Sequence, residues 1–211
     1  METVKSPAEG RVLLRNVSWG TYERLIEERE ERRVPRFFYD RGVMEVVSPS
    51  KRHESISEII SSLIEHIALE VSLDFESAGS TTFKNEGMAR GFEPDKCFYF
   101  GESIELVRGK DDIDLDAGDP APDLVVEVDI TSPSISKFPI YASLGVSEVW
   151  LHDGERLSIL TLGDEEYTGA SESSFLPSVT GEILTRLVAD GLLMERPAWA
   201  RKVREWVRES R

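Results

Sequence analysis

Apolar positions along the chain follow two periods, and the longest run belongs to a helix. Ile56, Ile59, Ile60, Leu63, Ile64, Ile67, Ala68 and Val71 recur at i, i+3, i+4, i+7, i+8, i+11, i+12 and i+15, which is one helical face. Ser50 or Ser48 supplies its N-cap. Upstream, Ser18 caps a shorter, charge-rich helix through Tyr22, Leu25 and Ile26 that stops before Pro35. Residues 1–17 are weakly patterned and read as an arm or an edge strand. Strand signals fill the middle of the chain. Residues 37–47 read as two strands around the turn Asp40-Arg41-Gly42, with glycine where a positive φ is expected. Residues 74–78, 81–84 and 95–100 are strand-like, with Gly79 and Gly91 read as breaks.

Residues 101–122 form an acidic connection containing Gly and Pro, expected to be an exposed loop. Residues 123–129 are apolar enough for a strand at the centre of a sheet. A helix over 134–144 ends at Gly145, with Pro139 expected to kink or split it. Residues 148–152 and 157–162 make a hairpin around Asp153-Gly154, and Tyr167 marks a further strand. Helices over 179–192 and 198–209 finish the chain. The expected architecture is a mixed α/β (α+β) fold, a central mixed sheet with helices on its faces. It divides into an arm at 1–17, a main domain at 18–192 and a basic amphipathic helix at 193–211.

Composition narrows the possibilities. One cysteine excludes a disulfide framework or a Cys-based zinc cluster and suits a reducing cytoplasm. No basic start leads into an apolar run, so no signal peptide is expected, and no apolar stretch is long enough to span a membrane. The net charge of −15 is the wrong sign for coating nucleic acid nonspecifically. About half of that excess lies between Glu102 and Asp129, while the last sixteen residues carry six bases against Glu205 and Glu209. A local polyanion site is therefore compatible with the charge.

The candidate chemistry starts on the strand at 123–129. Alternation puts Leu124, Val126, Val128 and Ile130 on one face and Val125, Glu127 and Asp129 on the other. Two carboxylates on an apolar strand need neutralising, and Mg²⁺, which favours carboxylate oxygens, would do so. The alternative is a strand end where both acids reach water. Glu93-Pro94-Asp95 adds an acid at another strand start, and Lys137 follows Glu127 by ten residues. An Asp, a Glu and a Lys around one metal suit phosphodiester hydrolysis: the acids hold the ion, and the ammonium stabilises charge on the phosphate. His53 falls on the inward face of the long helix at its first turn, beside Lys51 and Arg52. It either contacts the site or caps the core. Glu45 lies opposite Met44 and Val46 in facing, so it is exposed or aimed at the site.

Several runs, in order, resemble the Uma2 family of bacterial proteins. They are Gly42-Val-Met-Glu-Val-Val-Ser-Pro-Ser50, His53-Glu54, Gly79-Ser-Thr-Thr82, Glu93-Pro-Asp95, Pro122-Asp-Leu-Val-Val-Glu-Val-Asp-Ile-Thr131 and Ile140-Tyr-Ala-Ser-Leu-Gly-Val-Ser-Glu-Val-Trp150. The resemblance covers about residues 18–187 and implies a restriction-endonuclease-like fold of the PD-(D/E)XK nuclease superfamily. It implies that Asp95 and Glu127 are metal ligands. The superfamily lysine expected two residues after the acid is replaced by Asp129, and the resemblance assigns its part to Lys137. Asp129 then becomes an extra metal ligand or an acid beyond the ligand set, and His53 and Glu45 join the active-site wall. The expected function is a Mg²⁺-dependent (or Mn²⁺-dependent) endonuclease acting on DNA, as a cytoplasmic homodimer. The alternatives are a nuclease-fold protein that has lost efficient hydrolysis and serves as a binding module, and a hydrolase of a small phosphorylated substrate.

Elsewhere the expectations are plainer. Cys97 reads as a small buried hydrophobe, and Asp111–Asp119 as a solvated loop without an EF-hand pattern. Trp199, Val203, Trp206 and Val207 form one apolar stripe spaced for burial or a subunit contact.

Overall fold

The computed structural model describes residues 10–29, 34–131 and 136–210. In chain order the elements are β1 (Gly10–Arg15), α1 (Trp19–Glu28), β2 (Arg36–Asp40), β3 (Val43–Ser48), α2 (Lys51–Val71), β4 (Phe75–Ser77), β5 (Phe83–Asn85), β6 (Arg90–Phe92), β7 (Lys96–Phe100), α3 (Glu102–Val107), β8 (Leu124–Val128), α4 (Phe138–Leu144), β9 (Glu148–His152), β10 (Leu157–Leu162), β11 (Tyr167–Gly169), α5 (Gly181–Leu193) and α6 (Arg196–Glu209). No described helix is long and apolar enough to cross a membrane.

The strands form two sheets. A five-stranded antiparallel sheet runs β1-β3-β2-β6-β5, and a six-stranded mixed sheet runs β11-β10-β9-β8-β7-β4. Among the described residues the one parallel pair is β8 with β9, joined through α4. All five residues of β8 are buried at the centre of the mixed sheet, as its unbroken apolar run requires. Leu124, Val126 and Val128 face α2, α5 and α6, in a core with Ile56, Ile60, Leu63, Ile64, Trp150 and Trp199. Val125 faces the other way, into a second core with Phe38 and Val47 of the antiparallel sheet and Ile140 and Tyr141 of α4. The two sheets therefore meet across a layer that also holds the side chain of Glu127, the one charged residue of β8. Behind the antiparallel sheet, α1 packs Tyr22 against Phe37, Tyr39 and Met44.

Local signals explain most boundaries. Ser18 caps α1 and Ser50, not Ser48, caps α2, each hydroxyl accepting a backbone N–H three residues on. The β2–β3 turn carries positive φ at Arg41 and Gly42, 45° and 91°, matching the twist of a tight hairpin. The C-terminal stripe is packing: Trp199, Val203 and Val207 are buried on α2 and α5, and the Trp199 indole donates to the Leu187 carbonyl at 2.8 Å. Cys97 is buried, as expected.

Some expectations need correction. Gly91 does not break a strand but lies inside β6, where a Cβ would sit 2.1 Å from the Tyr22 hydroxyl. It is the close approach of α1 that demands glycine there. The connection after β7 opens with α3, whose Ile104 and Val107 are buried; six residues are too few for periodicity to stand out among so many acids. Pro139 does not kink α4. It lies in the first turn, where no intrahelical N–H bond is lost. The expected start of that helix, residues 134 and 135, lies outside the described residues. Residues 10–15 of the N-terminal arm are the edge strand β1, paired to β3 from Gly10↔Ser48 to Arg15↔Val43.

Candidate active site

Glu127 is on the face of β8 that looks toward the antiparallel sheet, and it is 2% exposed. Strand β7 runs antiparallel beside it with Lys96 opposite Val126 and Cys97 opposite Val125. Continuing that register sets Asp95, just before β7, across from Glu127 and on the same face. Asp95 is also buried, and its Oδ2 accepts the Val128 backbone N–H at 2.7 Å. That bond ties the acid to the end of the neighbouring strand.

Side chains from three other elements close over these acids. Arg36, at the start of β2, donates Nη1 to Asp95 Oδ1 and Nη2 to Glu54 Oε1 at 2.8 Å. His53, in the first turn of α2, places Nε2 2.6 Å from Asp95 Oδ1 and 3.2 Å from Arg36 Nη1. The guanidinium only donates and the carboxylate only accepts, so Nε2 can satisfy one of them at a time; the shorter contact is the one to Asp95, in which Nε2 would be the donor. Lys137, at the N-cap position of α4, donates to Glu127 Oε2 and lies 3.3 Å from Asp129 Oδ1. Its ammonium also sits 4.3 Å from the centre of the Phe38 ring. Tyr141, one turn further along α4, donates its hydroxyl to Glu127 Oε1 at 2.5 Å. A single helix face thus holds both oxygens of Glu127. Arg11 of β1 spans the remaining acids, with Nη1 3.4 Å from Glu45 Oε2 and Nη2 2.9 Å from Asp129 Oδ1.

The result is two runs of alternating charge that meet at Asp95 and Glu127: Glu54, Arg36 and Asp95, with Glu54 at the exposed end, and Glu127, Lys137, Asp129, Arg11 and Glu45. It pushes the two central carboxyls apart. Burial alone would raise Asp95, but the Arg36 guanidinium, His53 and Lys137 outweigh it and hold the group at about 2. Burial pushes Glu127 up to about 7; Lys137 opposes the rise, and the like charges of Asp95 and Asp129 add to it. Burial would lower Lys137, yet Glu127, Asp129 and Asp95 raise it above its ordinary value. Near neutral pH, Asp95 is ionised, Lys137 is charged and Glu127 is poised between states.

Every sequence-predicted site residue is in this layer, but in different relations. Asp95, Glu127, Lys137 and His53 converge directly. Asp129 touches Lys137, and Glu45, fully buried, reaches the others through Arg11. Three contributors went unseen. Tyr141 had a signal, the i+4 spacing from Lys137. Arg36 begins a strand expected to start at Phe37, and Arg11 is in the arm without periodicity. Glu93 turns away from the site despite adjoining Asp95 through one proline. It accepts from both terminal nitrogens of Arg29, from Thr82 and from the Phe37 N–H.

The donor chemistry of Asp95 and Glu127 suits a hard divalent cation, which takes one or two carboxylates and keeps several waters. Among the described residues no group of three or more His, Cys, Asp or Glu side chains converges as a ligand set. Each oxygen of Asp95 and Glu127 accepts from a protein donor, so an incoming ion would compete with Arg36 and Lys137 for these carboxylates.

A search of curated proteins found no match. Among solved structures, the chain is similar to one titled "a putative nuclease belonging to DUF820" from Anabaena variabilis ATCC 29413. That likeness has 15% identity and a TM-score of 0.48 and covers 73% of this chain and 92% of that one. The family model Uma2, described as "Putative restriction endonuclease", matches residues 19–190, which run from the start of α1 into α5 and include all of the charged layer except Arg11. The chain belongs to the Uma2 family.

Proposed function

We propose that the chain is a Mg²⁺- or Mn²⁺-dependent endonuclease that hydrolyses phosphodiester bonds in DNA at the Asp95–Glu127–Lys137 centre. One observation carries the reading: two buried carboxylates face each other across adjacent strands, and a charged lysine from the following helix is bonded to one of them. Asp95 and Glu127 would hold the ion. A bound divalent cation supplies Lewis-acid activation of the attacking water and of the phosphoryl oxygen. His53 keeps Asp95 ionised and oriented through its Nε2–H. Lys137, held beside Glu127, would place its ammonium against the charge that develops on the phosphate. Tyr141 would orient Glu127 through its hydroxyl. The reading includes a homodimer, in which each copy would bring one such centre to one strand of a duplex.

The test is calorimetric titration of Mg²⁺ and Mn²⁺ into wild type, Asp95→Asn and Glu127→Gln, followed by plasmid nicking at low salt with the same samples. Ion binding and nicking in wild type, both lost in the two folded variants, would support the assignment. Wild type that takes up neither ion overturns it and favours a nuclease-fold binding module.

A further inference from the structure

We propose that Arg11 is a positioning residue for this centre: by taking up the charge of Asp129, it keeps the Lys137 ammonium on Glu127. The inference deepens the endonuclease reading and rests on Lys137 being the site's cation.

The ammonium of Lys137 has two carboxylates to choose from. It donates to Glu127 Oε2 and lies 3.3 Å from Asp129 Oδ1. That same Asp129 oxygen accepts from Arg11 Nη2 at 2.9 Å, the shorter of its two cationic contacts. With Arg11 present, Asp129 is already neutralised and competes weakly for the lysine. Without it, the nearest positive charge to Asp129 among the described residues is Lys137, and the ammonium is drawn along the strand face, away from Glu127. Glu127, 2% exposed, would then sit beside a departing counter-charge.

The geometry of Arg11 is that of a fork. Its Nε donates to Thr131 Oγ1 at 3.2 Å, Nη2 reaches Asp129, and Nη1 faces Glu45 at 3.4 Å. Two of these contacts, Asp129 and Thr131, lie on the chain leaving β8, between Glu127 and Lys137. The third anchors the guanidinium from behind: Arg11 is opposite Val47 and so diagonal to Glu45 across the β1–β3 pair. A planar, permanently charged group with several donors suits this; a lysine would supply charge without the fork. Asp129 and Glu45 thereby gain roles in which neither touches the ion or the substrate. Asp129 is the acid that tunes the lysine, and Glu45 is the acid that holds the arginine.

The experiment follows the ammonium itself, through the ¹H–¹⁵N cross-peak of Lys137 in the full chain, assigned by its loss in Lys137→Met. In Arg11→Gln the cross-peak should shift, whereas Arg15→Gln, exposed at the end of the same strand, should leave it in place. The decisive variant is Arg11→Gln combined with Asp129→Asn. If Arg11 acts by neutralising Asp129, removing that charge makes the arginine dispensable, and the cross-peak returns toward its wild-type position. If Arg11 merely fastens β1, the double variant is at least as perturbed as the single one. In nicking assays Arg11→Gln should lower kcat by about 10–100-fold, the usual cost of losing a partner that orients a metal-site group, with KM for plasmid little changed. Arg11→Lys should recover part of it.

An unmoved cross-peak in folded Arg11→Gln, or a double variant worse than the single, overturns the proposal. Should Arg11→Gln fail to fold, the comparison is made within Asp129→Asn, where the proposal requires that adding Arg11→Lys changes nothing at Lys137. Wild type that neither binds Mn²⁺ nor nicks plasmid ends the endonuclease reading, and the ammonium cross-peak still decides this one.

Discussion

The mixed sheet buries one glutamate on each face, and the two are held in opposite ways. Glu148, at the start of β9, points into the helix-covered core. It accepts from the Trp150 indole, the Ser173 hydroxyl and the Ser174 backbone N–H, each at 2.7 Å. Glu127, one strand over, points toward the antiparallel sheet and is held by Lys137 and Tyr141. Neutral donors on short or backbone arms surround the first, and they can neither leave nor carry charge. The second depends on a long cationic side chain that has another carboxylate within reach. A buried acid satisfied by fixed neutral dipoles is a staple, whereas one satisfied by a displaceable cation is a site whose state can change.

This contrast can be broken by removing the cation from Glu127 and, on the other face, by removing Glu148 itself. Lys137→Met strands Glu127, at a cost of about 3–5 kcal/mol if the acid stays ionised. Glu127 already titrates high, at about 7 against an ordinary 4.5. A raised acid binds more protons folded than unfolded, so its destabilisation is absent at low pH and grows as pH rises through the folded value. Urea midpoints of Lys137→Met should therefore fall relative to wild type from pH 6 to pH 9. A loss independent of pH would mean the lysine matters for packing alone.

Glu148→Ala should cost stability through stranded neutral donors: it leaves the indole N–H and the Ser174 N–H buried without an acceptor, at about 1–3 kcal/mol each. Divalent-ion titration of the folded variant should match wild type. An altered ion affinity would show that the staple and the site are coupled through the sheet.

Asp95 sharpens the comparison from the acid side. Its pKa is depressed from 3.8 to about 2, so its contribution is present above the unfolded value and disappears as pH falls toward 2. That amounts to about 2 kcal/mol. Acid denaturation followed by circular dichroism should have a steep limb between pH 4 and pH 2 in wild type that flattens in Asp95→Asn. The smallest effect is expected at Lys96–Glu58, where the glutamate is 54% exposed. Glu58→Gln should change stability by less than about 0.5 kcal/mol and lose even that in high salt.

Much of this molecule is determined within single elements and is legible there. The face of α2 that carries Ile56 to Val71 also fixes His53 as inward. The alternation on β8 separates Val126 from Glu127 whatever packs against either, and Asp40-Arg41-Gly42 closes a hairpin from backbone geometry alone. The family motifs add Lys137, which no periodicity singles out. What surrounds those residues was decided by the way one sheet lies on the other. Arg11 meets Asp129 across 118 positions and Arg36 meets Asp95 across 59, contacts that leave no local pattern because neither partner's own strand requires them. Glu93 and Asp95 show the limit within one tripeptide. Both are buried acids, yet Glu93 fastens the antiparallel sheet to α1 while Asp95 enters the site. Local sequence sets which side chains leave a strand on which face, since that follows from backbone stereochemistry. Only the tertiary structure sets which charges they find there, since Coulomb energy depends on distances that the packing of the two sheets creates.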